Sequence, residues 1–133
     1  MADTIARSPV PVATICIGKC MSAGALLVMQ GAEGLRFATP RSTLLIHDIS
    51  SYLEGKVPEM KEDLKGLERM GRAVFIDVAQ RIGRPPGYFL KMLEKAGHKD
   101  IYFTAKQAQE AGLINKIGWP TFEIETRVII TVP

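Results

Sequence analysis

The segment from Val12 to Gln30 restricts the fold more than any other part of the chain. Val12-Ala13-Thr14-Ile15-Cys16-Ile17 is an apolar run of strand length, rich in β-branched residues. Such a run suits a strand buried on both faces, as in a parallel sheet. Gly18 ends it. Ser22-Ala23-Gly24-Ala25-Leu26-Leu27-Val28-Met29-Gln30 then reads as a buried helix, with Ser22 at or next to its N-cap. A buried strand that feeds a buried helix needs a layered α/β core around it.

The remaining elements agree with that architecture. Gly31 and Gly34 close the helix, Leu35–Ala38 is a short strand, Pro40 marks a turn, and Thr43–His47 is another buried strand. The loop from Asp48 to Val57 is polar. From Pro58 a long amphipathic helix begins, with proline in its first turn. Met60, Leu64, Leu67, Gly71, Val74 and Val78 follow a 4-3-4-3-4 spacing and make one stripe. Phe75, Ala79 and Ile82 form a second stripe that joins late. The helix is therefore expected to start half exposed and finish buried. Gly83, Pro85, Pro86 and Gly87 stop it.

Tyr88–Ala96 reads as a shorter helix with Phe89, Met92 and Leu93 inward, and Ile101–Phe103 as a strand. Thr104 with Gln107 forms a capping box at the start of a helix that runs through Ala108–Ala111. Leu113–Ile117 resembles a strand, as does the tail from Phe122 to Val132. The expectation is one α/β domain built on a parallel sheet with flanking helices.

Composition removes several function classes. With 47% hydrophobic and 23% charged residues the 133-residue chain is neither disordered nor low in complexity. No apolar stretch approaches the roughly 18 residues of a membrane span, and the first residues do not resemble a signal peptide. A net charge of +3, with Lys and Arg interleaved among acids, does not form a nucleic-acid footprint. Cys16 and Cys20 are too few for a disulfide framework or a zinc site. Both read as small, reduced core residues of a cytoplasmic protein.

Two side chains stand where chemistry could occur. Ser22 lies between a strand end and a helix start, where backbone N–H groups and the helix dipole favour a developing anion. The G-x-S-x-G elbow pattern is not met, because Cys20 takes the place of its first glycine. From this segment alone, a plain N-cap is the commoner role for such a serine. His47 ends a buried strand, at the edge where open α/β sheets place their sites, and could serve a hydroxyl as general base. His98 sits in a loop and reads as solvated. Asp48, Asp77 and Asp100 are all candidates for a carboxylate that orients the imidazole, and the residues alone do not choose among them.

Taken together, Gly18-x-x-x-Ser22-x-Gly24-Ala25, Gly31-x-x-Gly34-x-Arg36-Phe37-Ala38-x-Pro40-x-Ser42 and Ile46-His47 resemble the active-site core of the Clp protease proteolytic subunit. Lys99-Asp100-Ile101-Tyr102-Phe103-Thr104-Ala105, with Ala108-x-x-Ala111-Gly112-Leu113-Ile114, resembles that family's third catalytic segment. The similarity covers about residues 3–118, the C-terminal two-thirds of a family protomer. It implies a crotonase-like fold with a protruding handle helix from Glu59 to about Arg81. It implies Ser22 as nucleophile, His47 as general base, Asp100 as orienting carboxylate and the Ala23 N–H as an oxyanion-hole donor. It also implies heptameric rings, possibly stacked in pairs, and an AAA+ unfoldase partner that spends the ATP. The substrates would be unfolded polypeptides, with no metal or organic cofactor, no nucleic acid and no membrane.

The sequence departs from the family pattern in three ways. The family's upstream half, with the first sheet strands, a Gly-Gly oxyanion loop and axial pore loops, is expected to lie outside these residues. After His47 stands Asp48-Ile49-Ser50-Ser51 where the family has Gln-Pro and a glycine pair. Residues 119–133 are an atypical tail. These departures leave room for a catalytically impaired fragment or a non-catalytic assembly subunit of a Clp-like complex. A crotonase-fold enzyme acting on an acyl-thioester would use paired carboxylates, and no suitably placed glutamate stands out.

Overall fold

A computed structural model describes residues 2–123, 125 and 127–131. In chain order the elements are α1 (Ala2–Ala6), β1 (Thr14–Cys16), β2 (Lys19–Met21), α2 (Ala23–Met29), β3 (Arg36–Ala38), β4 (Thr43–Ile46), α3 (Val57–Arg81), α4 (Tyr88–Lys95), β5 (Ile101–Thr104), α5 (Ala105–Glu110) and β6 (Lys116–Ile117).

The strands form two three-stranded sheets, β1-β3-β6 and β2-β4-β5, where the sequence predicts a single parallel one. Gly18 explains the difference. At φ +72° it takes a left-handed turn rather than ending the strand, and the chain resumes as β2 in the second sheet. The Pro40 turn does the same between β3 and β4. The two bends run side by side. The Thr43 N–H donates to Gly18 O at 2.8 Å, and Ser42 Oγ donates to Cys16 O at 2.8 Å.

The pairs β1–β3 and β2–β4 are parallel, and both crossovers use α2. The pair β4–β5 is antiparallel, with Ile46 opposite Ile101. The core between sheets and helices holds Cys16, Ala25, Met29, Ile46, Phe75, Val78, Phe89 and Leu93. The intact Cys16 and Cys20 are both free thiols, and Cys16 alone is fully buried.

The long helix α3 behaves as its two stripes predict. Residues 57–70 are exposed or half-buried, whereas Gly71, Phe75, Val78 and Ala79 are buried. The Thr104–Gln107 capping box is present in both directions. Strand β6 is shorter than expected, because Leu113 and Ile114 stay in the turn after α5 with their N–H groups on Ala108 O.

The tail carries no strand among its described residues. Val128, Ile129 and Ile130 are exposed, and residues 124, 126, 132 and 133 lie outside the description. An apolar β-branched run becomes a strand only where a ladder accepts it. Among the described residues no helix is long and apolar enough to cross a membrane.

Candidate active site

Ser22 occupies the junction between β2 and α2. Its backbone is fixed by the strand beside it, since the Ser22 N–H donates to Leu45 O at 2.9 Å. Its torsions are φ 52° and ψ −118°. That conformation belongs to glycine at the first central position of a type II′ turn and strains any residue with a Cβ.

An N-cap normally has extended backbone and a side chain that accepts from the first turn. Ser22 has neither, for its hydroxyl makes no capping hydrogen bond. Ser22 is the N-cap residue of α2 by position, as expected, but its side chain does not cap the helix. A serine raised on a sharp strand-to-helix turn is the geometry of a nucleophile elbow, reached here without the elbow's first glycine. Gly24 is not required by space. A Cβ there would meet the Cys20 Cβ at 4.0 Å, an ordinary contact. Ser22 and Ala23 are exposed, and Ala23, as the first residue of α2, has an N–H with no intrahelical acceptor.

His47 follows β4 directly and is half-buried. It shares with Ser22 an apolar cavity of about 140 Å³, lined also by Leu26, Ile46, Val74 and Phe75. The His47 ring directs Nδ1 to the backbone carbonyl of Asp48. A carbonyl only accepts, so Nδ1 carries a proton, and in the neutral ring Nε2 then keeps its lone pair. That is the tautomer a general base toward Ser22 requires.

The three candidate carboxylates separate. Asp77, on the exposed side of α3, accepts from Gln30 Nε2 at 3.1 Å and is taken up in structure. Asp48 holds His98, whose Nδ1 lies 2.7 Å from Asp48 Oδ2 at the surface. His98, expected to be solvated, is thus half of an exposed hydrogen-bonded contact beside the site. Nothing local in sequence joins residues 50 positions apart. Asp100 is exposed and precedes β5. Continuing the Ile46–Ile101 register by one residue sets it opposite His47. Among the described residues no hydrogen bond joins Asp100 to His47, and none joins the Ser22 hydroxyl to His47.

Cys20 lies two residues before Ser22. Burial, with a hydrogen bond to Cys16 and the charge of that neighbour, pushes its thiol up to about 12 from an ordinary 9.0. A thiol held protonated is a poor nucleophile. A second, larger groove of about 820 Å³ runs between residues 48–53 and the exposed half of α3.

Residues 1–120 match the family model described as Clp protease. The match takes in every element above and every residue of the candidate site, leaving out the tail beyond Pro120. The chain therefore belongs to the Clp protease family, a family of peptidases, and its Ser22–His47 cavity lies within the part that the family shares.

Proposed function

We propose that the chain is a serine endopeptidase subunit that hydrolyses peptide bonds of unfolded proteins, with Ser22, His47 and Asp100 as its triad. The observation that carries this reading is the strained, uncapped Ser22 at the β2–α2 junction, sharing one cavity with a histidine whose Nε2 is free. Ser22 Oγ attacks the scissile carbonyl carbon while His47 Nε2 takes the hydroxyl proton. The Ala23 N–H donates to the resulting oxyanion. The tetrahedral species collapses, the C–N bond breaks, and the leaving amine receives the proton from Nε2. Water then attacks the acyl-Ser22 ester with His47 as base, the ester C–O bond breaks, and Nε2 returns the proton to Ser22 Oγ as the carboxylate leaves. Asp100 acts after a turn of the His47 ring toward it, by holding Nδ1–H and stabilising the imidazolium.

The family supports the assembly that goes with this chemistry: rings of seven protomers, stacked in pairs through the exposed, charged half of α3, fed by an ATP-driven unfoldase. No metal or organic cofactor takes part in these steps.

The Nδ1 contact with Asp48 O in place of Asp100 favours a second reading, a catalytically impaired or purely structural subunit of such a complex. Size-exclusion chromatography with a short fluorogenic peptide separates the two. Assembled protein whose peptide cleavage disappears in Ser22→Ala is the expected result. Assembled protein whose residual hydrolysis is equal in wild type and Ser22→Ala supports the second reading and removes the first.

A further inference from the structure

The cavity beside Ser22 and the large groove over α3 are neighbours, and they share Asp48, Ile49, Ser50 and Phe75 as lining. Two of these four are apolar side chains able to form a wall. Phe75 is buried in the core and fixed. Ile49 comes from the loop after His47 and is 40% exposed, so packing on one side alone holds it. That packing is specific. A Cβ added at Gly71 would stand 2.6 Å from Ile49 Cδ1 and 3.1 Å from Ile49 Cγ1. Gly71 is buried within the long helix at no left-handed torsion, so its use there is space rather than backbone freedom. The missing side chain is the seat for Ile49.

From this geometry we infer that Ile49, seated in the notch at Gly71, is the partition between the reactive cavity and the groove, and so sets the size of apolar side chain that the cavity accepts next to Ser22. With the partition in place the cavity holds about 140 Å³, and an apolar cavity of about 150 Å³ takes one benzene-sized group. Without it the cavity opens into a groove of about 820 Å³. The wall is two residues from His47, so it stands beside the bond to be broken. Ile49 would act as a specificity residue that meets the substrate side chain and takes no part in the bond-breaking steps. The inference deepens the peptidase reading where cleavage is concerned, but occupancy of the cavity does not depend on that chemistry.

The test is therefore made twice on the full chain. Binding of N-acetyl-leucinamide and N-acetyl-naphthylalaninamide is followed by NMR shift perturbation at residues 22–26 and 46–49, in Ser22→Ala protein with and without Ile49→Ala. Cleavage of fluorogenic peptides bearing the same two side chains is followed in the Ser22 protein. Ile49→Ala is expected to raise the naphthyl-to-leucyl affinity ratio at least about tenfold, the scale on which pockets discriminate by a few carbon atoms. Gly71→Ala, which favours the helix and unseats Ile49, is expected to change the ratio in the Ile49 background and to leave it unchanged with Ile49→Ala. An affinity ratio that Ile49→Ala does not move overturns the inference, whether or not peptides are cleaved. A ratio that moves as expected while no peptide is cleaved upholds the partition and counts against the peptidase reading alone.

Discussion

The two sides of the candidate site are built differently. Ser22 is held by covalent geometry and by the sheet, with its N–H on Leu45 O and its torsions forced by the junction of β2 with α2. His47 hangs from the end of β4, its ring tied to its own neighbour Asp48, and Asp48 is tied in turn to an exposed His98. The Ser22 side is held by regular structure, and the strain it carries has been fixed by folding. The His47 side is assembled from loop contacts. On the proposed mechanism, the loop after His47 is the part that would control turnover, while Ser22 stays in place.

The comparison breaks first at Ser22. Substitution by alanine is expected to lower peptide kcat/KM by at least ~10⁴-fold in the assembled protein, as loss of a triad nucleophile does. Ser22→Gly is expected to be as inactive yet about 1 kcal/mol more stable, because glycine adopts φ 52° without strain. Denaturant midpoints measure this. A less stable glycine variant would show that the junction is not strained.

On the base side, Asp100→Asn is expected to cost up to ~10⁴-fold in kcat, whereas His98→Ala changes it less than about fivefold. The first removes an orienting charge and the second an exposed pair. Steady-state kinetics of both variants decide the ranking. The reverse order would assign the orientation of His47 to the Asp48–His98 contact.

The smallest effect concerns Cys20 beneath the nucleophile. Its folded pKa is raised above the unfolded 9.0 to about 12 by burial first and by Cys16 second. A raised thiol pKa favours the folded state fully below 9.0, and this contribution fades as pH climbs from 9.0 toward about 12. Cys20→Ala is expected to flatten the alkaline loss of stability, read as the difference between wild-type and variant denaturant midpoints on either side of pH 9.0.

Local rules reached much of this molecule. The stripe on α3 and the Thr104–Gln107 box are set within a few residues of sequence, and both are found as read. What escaped depends on distant partners. Gly18 looks like a strand end until β4 lies alongside, and β5 looks like another parallel strand until it pairs Ile46 with Ile101. Arg36, within a short strand, is 2% exposed with its guanidinium on Gly31 O and Glu33, partners that the strand pattern does not announce. Within the site, position along the chain picked out Ser22 and His47, because strand ends are visible in sequence. The torsion of Ser22, the Asp48–His98 contact and the seat of Ile49 on Gly71 are tertiary and left no local mark.

The most direct test of the central claim is reaction of the assembled protein with a fluorophosphonate, followed by intact mass and peptide mapping. A strained, uncapped Ser22 beside a free histidine nitrogen predicts one adduct per chain, located on Ser22 and absent from Ser22→Ala. An assembled protein that stays unmodified, or that is labelled equally in wild type and Ser22→Ala, would contradict it.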